Sequence, residues 1–203
     1  MFCLEFISYL SSFEFVSCFE IRVSCFFHEE QKVDRNNHYE AAFEAYLRDA
    51  RLAYVAVDEA KRATLDDEPV KSVDFIVHGA SKLLIDVKGR KFPGGSEQKP
   101  TFSWQNWSTR DDVEGLERWE QQFGPGYLGL LVFMYHVLPV VDLPLGTVDL
   151  WHWRGRRYLL RAVAAGEYRL SMRVRSPRWG TVHLPGAAFQ QAVRPFRAFT
   201  HPS

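Results

Sequence analysis

The eleven residues from Tyr127 to Val137, YLGLLVFMYHV, contain no acidic or basic side chain other than His136. A strand that is apolar on both sides of its alternation is one buried on both faces. The chain around it reads as α/β, a central mixed β-sheet flanked by helices. The longest apolar run, Tyr127–Val141, is broken by Gly129 and Pro139. No run approaches the roughly 20 residues that cross a bilayer.

Upstream, Tyr39, Phe43, Tyr46, Leu47 and Ala50 recur at helical spacing. This predicts an amphipathic helix over His38–Arg51, capped by Asn36 or Asn37. Three strands are predicted next: Leu52–Asp58, then Ser72–His78 ended by Gly79, then Lys82–Lys88 ended by Gly89. A polar turn, Leu65–Pro69, separates the first two, and a Gly/Pro/Lys loop, Lys91–Pro100, follows the third. Thr109 suits an N-cap, with Asp111 and Asp112 in the first turn of a helix reaching about Gln122. Gly124-Pro125-Gly126 stops it. Beyond Val137, Thr147–Trp153 and Arg157–Val163 flank Arg154-Gly155-Arg156 as a hairpin. Tyr168–Arg175 is predicted to be a strand and Pro185–Val193 a short helix.

The first 30 residues stand apart, with all three cysteines (Cys3, Cys18 and Cys25) and seven of the sixteen phenylalanines. Glu5, Glu14 and Glu20 interrupt them, and neither a basic start nor a small-residue cleavage site is present, which argues against a signal peptide. Residues 1–33 read either as a poorly packed extension, with a start codon set too early, or as an added strand or helix. Three unpaired, unclustered cysteines disfavour a disulfide framework or zinc finger and favour a reducing, cytoplasmic setting.

The chemistry gathers on the second and third predicted strands. Asp86 and Lys88 are two apart, so both point to one face. If the two strands form an antiparallel hairpin, Asp74 returns beside Asp86. Two carboxylates from neighbouring strands suit Mg²⁺, which takes hard oxygen ligands and keeps several waters. A lysine beside them can orient a water or stabilise phosphoryl charge. Glu40 lies at the margin of the helical stripe of Tyr39, Phe43 and Leu47, and Glu44 is one turn further.

A helix glutamate, then Val73-Asp74, then Asp86-Val87-Lys88, on an αβββαβ order across about residues 38–138, resembles the PD-(D/E)XK nuclease superfamily. The string His38-Tyr39-Glu40-Ala41-Ala42-Phe43-Glu44 is similar to the signature of the bacterial HYExAFE family. The resemblance implies a restriction-endonuclease-like core in which Asp74 and Asp86 bind Mg²⁺ (or Mn²⁺). Glu40 completes or orients the metal shell, and Lys88 positions the water. Glu40 fits better than Glu44 because it precedes Leu47 by seven residues. Val73 stands where the superfamily often has proline, and the long strand-rich tail departs from the minimal fold. The implied activity is a metal-dependent phosphodiesterase acting on DNA or RNA, and the alternative is a catalytically silent nucleic-acid-binding or interaction protein. The implied division is an N-terminal extension (1–35), the nuclease-like core (36–145) and a basic C-terminal extension packing on the core (146–203). A homodimer is compatible with this reading, and a membrane partner is not.

Plainer readings accompany these. Asp86 and Lys88 also fit a solvated strand face with an ion pair, and Glu44 fits an i,i+4 pair with Arg48. Asp74 also fits a turn cap, although a carboxylate within an apolar stretch needs a partner or a metal. Phe102, Trp104, Asn106 and Trp107 would either line the mouth of the site, with Asn106 facing a ligand, or plug the sheet in front of the second helix. Arg90 and Lys91 would contact phosphates or serve as loop solubilisers.

The net charge of zero hides an asymmetry. Residues 1–150 carry 15 basic and 24 acidic side chains, whereas residues 151–203 carry 10 arginines and one acid, Glu167. Arg173 and Arg175 share a predicted strand face suited to phosphate contacts. The other reading is a tail that neutralises the acidic body. Motifs for P-loop NTPases, dinucleotide binding, serine hydrolases and zinc hydrolases are absent.

Overall fold

The computed structural model describes residues 22–23, 38–57, 63–65, 68–96 and 98–200. The readings of residues 1–33 as an extension and of the three cysteines lie outside these, save for Arg22–Val23. The core elements follow in chain order. Helix α1 is His38–Asp49, strands β1, β2 and β3 are Ala53–Ala56, Phe75–His78 and Lys82–Phe92, helix α2 is Arg110–Phe123, and strand β4 is Tyr127–Val137. Strands β5 (Leu150–Trp153) and β6 (Arg156–Ala164), helix α3 (Ala165–Ser171), strands β7 (Arg173–Ser176) and β8 (Thr181–His183), and helices α4 (Gly186–Ala192) and α5 (Arg197–Thr200) complete it.

The central sheet runs in the order Arg22–Val23, β1, β2, β3, β4, β6, β5, with Arg194–Pro195 pairing to β6. Strands β1, β2 and β3 are antiparallel neighbours, β3 and β4 are parallel, and β4 and β6 are antiparallel, so the sheet is mixed. Its position between β3 and β6 explains the uninterrupted apolar character of β4. Leu131, Phe133 and Tyr135 pack on one side with Val113, Leu116 and Trp119 of α2, Tyr168 of α3 and Phe189 of α4. Leu130, Val132 and Met134 pack on the other with Ala42, Phe43 and Leu47 of α1 and with Phe196. Each fully buried Leu, Val or Phe here contributes about 1.5–3 kcal/mol. The whole is a helix layer, a mixed sheet and a second helix layer.

Helix α2 begins at the expected place. The Thr109 side chain accepts from the Asp112 amide at 3.1 Å, and Asp112 Oδ2 accepts from the Thr109 amide at 2.9 Å. This is a reciprocal capping box. Gly124, at φ 81°, ends the helix in a conformation that side chains other than glycine's resist.

Two expectations change. Gly89 does not end the third strand: β3 continues to Phe92. A Cβ there would stand 2.2 Å from the Tyr39 ring, so glycine serves the close approach of α1 rather than a stop. Tyr168–Arg175 is not one strand, because Ala165–Ser171 is helical and only Arg173–Ser176 is extended. Ala165 and Tyr168, three apart, are buried while Leu170 is 88% exposed, a helical alternation. The residues around the predicted turn Leu65–Pro69 also form short antiparallel strands, Ala63–Leu65 and Glu68–Val70.

Candidate active site

Alternation along β3 decides which side chains meet. Leu84 and its cross-strand partner Ile76 both belong to the cluster under α2. Two residues further along each strand, Asp86 and Asp74 face the same side. The backbone follows this register: the Asp74 amide donates to the Ile85 carbonyl at 2.8 Å, and Asp74 Oδ2 accepts from the Val87 amide at 2.6 Å. Both carboxylates are buried, at 4% and 3% exposure.

Lys88 continues the same face, and its Nζ lies 2.7 Å from Asp86 Oδ1. It also lies 2.8 Å from Asp112 Oδ2, in the first turn of α2. Asp112 was expected only as a helix-start residue, yet it is the second carboxylate on Lys88. Its Oδ2 also accepts from Ser108 Oγ at 2.8 Å and from the Thr109 amide. The capping box thus aims one carboxylate inward at the lysine. The sequence signal was the Thr109-to-Asp112 spacing, but only the packing of α2 on β3 brings Asp112 to Lys88.

The electrostatics follow from this crowding. Burial pushes the Asp86 carboxyl up, Asp112 adds to the effect, and Lys88 opposes it. Burial also works against ionised Asp112, but the Lys88 ammonium and the cap hydrogen bonds outweigh it and bring its pKa down to about 2. Burial alone would lower Lys88, yet Asp86 and Asp112 together hold it above the ordinary lysine range. Lys88 is therefore a firmly charged ammonium between two carboxylates. This is a buried ion network rather than the solvated ion pair that the plainer reading anticipates.

The donor set fits a hard divalent cation in one respect. Asp86 Oδ2 is buried with no hydrogen-bond partner among the described residues, and Asp74 is its neighbour across the strands. Two carboxylates suffice for an ion that keeps several waters. Among the described residues, however, no three His, Cys, Asp or Glu side chains group to hold a metal. Glu40 is half-buried on α1, the helix of the opposite face, and does not complete such a group. Glu44 pairs with Arg48 at 2.8 Å, as the i,i+4 reading expects.

The other expected contacts separate. Arg90 is 8% exposed, donates to the carbonyls of Gly89 and Trp107, and stacks on the Trp107 ring 3.9 Å from its centre. Asn106 is buried and exchanges both of its amide hydrogen bonds with the Leu184 backbone, at 3.1 Å each, so it faces no ligand. These two residues hold the structure together, which corrects their expected phosphate and ligand roles. Trp104 stacks on Phe92 at 3.7 Å, covering the end of the sheet. Lys91, Arg173 and Arg175 are exposed, and Arg175 also lies over Trp107, at 5.1 Å. In the basic tail, only Arg169 with Glu117 and Arg197 with Asp149 form ion pairs among the described residues.

No protein-family model matches the chain, and no curated protein matches its sequence. Among solved structures, the chain is similar to Hjc of Archaeoglobus fulgidus, a Holliday junction resolvase from an archaeal hyperthermophile. That structure is 12% identical with a TM-score of 0.45, and the match covers 80% of this chain and 93% of that one. The assignment of an α/β fold with a mixed sheet between helix layers rests on the strand order and the two core clusters rather than on this likeness. Among the described residues, no helix is long and apolar enough to cross a membrane.

Proposed function

We propose that the protein is a metal-dependent phosphodiesterase of the PD-(D/E)XK type acting on DNA or RNA in a reducing, cytoplasmic compartment. The observation that carries this reading is the same-face pairing of Asp74 with Asp86, whose Oδ2 has no hydrogen-bond partner among the described residues, next to the charged Lys88. A Mg²⁺ or Mn²⁺ ion held by Asp74 and Asp86 would supply positive charge to the phosphoryl group and acidify a water. The chain's own groups do the rest. The Val87 amide fixes Asp74. Asp112 fixes Lys88 in place and keeps it charged, so its ammonium can orient the attacking water and offset the charge that builds on the phosphoryl oxygens. Lys91, Arg173 and Arg175 offer exposed charge for phosphate contacts that position a strand without reading it. Glu40 and membership of the HYExAFE family stay within the proposal, as an outer carboxylate and as a likeness of the α1 start.

One observation favours the silent alternative: Lys88 already has two carboxylate partners, and no third acidic or histidine ligand joins Asp74 and Asp86 among the described residues. The two readings separate in one experiment. Supercoiled plasmid, single-stranded DNA and RNA are incubated with the full chain and Mg²⁺ or Mn²⁺, beside Asp86→Ala, Lys88→Ala and Glu40→Ala. The nuclease reading expects metal-dependent cleavage lost in Asp86→Ala and Lys88→Ala, and its size in Glu40→Ala reports whether that residue takes part. Cleavage that persists in both strand variants removes the site assignment. No cleavage, with no metal-dependent thermal shift, favours the binding reading.

A further inference from the structure

Across the sheet from the acidic cluster, the same strands carry a second set of polar groups. Lys91 of β3 is in register with His136 of β4, and His136 is in register with Tyr158 of β6. They form a row on the α1 side, because Val87, Met134 and Tyr158 all belong to the cluster under that helix. Arg156 lies two residues before Tyr158 and so shares its face. From above, α1 starts at His38, whose Nδ1 is hydrogen-bonded to the Tyr158 hydroxyl at 2.9 Å. The His38 and His136 ring centres are 6.0 Å apart, and those of His136 and Tyr158 are 5.6 Å apart.

We propose that His38, Lys91, His136, Arg156 and the Tyr158 hydroxyl form a phosphate-binding site at the N-terminal end of α1.

Three features support it. The charges are of one sign: neither Lys91 nor Arg156 forms an ion pair among the described residues, and both are exposed. Burial and then Arg156 lower the pKa of both histidines, His38 and Lys91 add to the effect on His136, and no carboxylate appears among the groups acting on either ring. Gathering cations without an anion raises the energy of the folded chain unless a ligand supplies one. The helix start adds amide groups without intrahelical partners and the positive end of its dipole. Donors arrive from four elements at different angles, which suits a tetrahedral oxyanion better than a planar carboxylate. The site lies on the opposite face from Asp86 and Lys88 and needs neither them nor a metal.

The test uses the full chain in metal-free buffer at low salt. Inorganic phosphate is titrated in while the histidine ring resonances are followed by NMR, assigned with His38→Gln and His136→Gln. The expected result is a saturable shift of His38 and His136, with His78, His152 and His183 unmoved. In the Lys91→Gln/Arg156→Gln double variant, affinity falls at least about tenfold, the loss expected for charge-assisted contacts. A 5′-phosphorylated and a 5′-hydroxyl oligonucleotide then separate the sources. A response to the first alone assigns a terminal phosphate, and a response to both assigns the strand backbone. If the two rings do not shift with phosphate, or the double variant binds as tightly as the wild type, the site is wrong. Phosphate binding is read without metal and cleavage with it, so the two readings fail separately although Lys91 is named in both.

Discussion

Strand β3 shows two faces of opposite character. Toward α2 it presents Asp86, Lys88 and Arg90, where Asp86 and Lys88 are joined in an ion network and Arg90 is bonded to backbone carbonyls. Toward α1 it presents Val87, Gly89 and Lys91, ending in a set of exposed cations and half-buried histidines without acid partners among the described residues. One strand thus builds a compensated, buried cluster on one side and an uncompensated surface on the other, by alternation alone. Compensation marks where removing a single group is costly. Its absence marks where a ligand from outside completes the balance.

The largest expected effect is on the compensated face. Lys88→Ala leaves two buried carboxylates unpaired and should cost about 3–5 kcal/mol of stability, measured by urea unfolding. A cost below about 1 kcal/mol would show that the network is open to water, as for a surface pair. Next, on the α1 face, Gly89→Ala forces a methyl group toward the Tyr39 ring. It should cost about 1–3 kcal/mol of strain, read as a lowered midpoint of thermal unfolding.

The pH response sharpens the comparison further. The Asp112 pKa is depressed in the folded state, so its contribution is complete above its unfolded pKa near 3.8 and is lost as pH falls through about 2. Asp112→Asn should therefore be less stable than the wild type by about 2 kcal/mol at pH 6, with the gap closing between pH 4 and about pH 2. A gap that stays constant over this range would mean that Asp112 acts through shape rather than charge. The smallest effect belongs to the other face: Arg156→Gln should change stability by less than about 0.5 kcal/mol. A larger loss would mean that Arg156 is structural.

Much of this was legible in the sequence wherever one local rule acts. The apolar alternation of Tyr127–Val137 implied a strand between two layers, the Thr109 cap marked the start of α2, and the two-residue spacing of Asp86 and Lys88 put them on one face. The hairpin between the second and third strands returned Asp74 to Asp86. What the sequence did not show depends on packing between distant elements. Asp112 reads as a cap until α2 is laid on β3. Arg90 and Asn106 read as ligand contacts until Trp107 and the Leu184 backbone take them up. Gly89 reads as a strand end because a close helix approach leaves no local pattern, and Tyr168–Arg175 reads as extended because its β-compatible residues follow a hairpin. Glu40 was expected at the metal from its place in α1; that helix packs on the other face, and its part in the site stays a proposal that Glu40→Ala tests.

The central claim, that the Asp74, Asp86 and Lys88 cluster is a catalytic metal site, meets its most direct test in plasmid nicking by the full chain with and without Mg²⁺, beside Asp86→Ala. The account predicts nicking only with the metal and a loss of at least about a hundredfold in the variant, the scale of removing one key charge-stabilising group. Equal nicking by wild type and Asp86→Ala would contradict it.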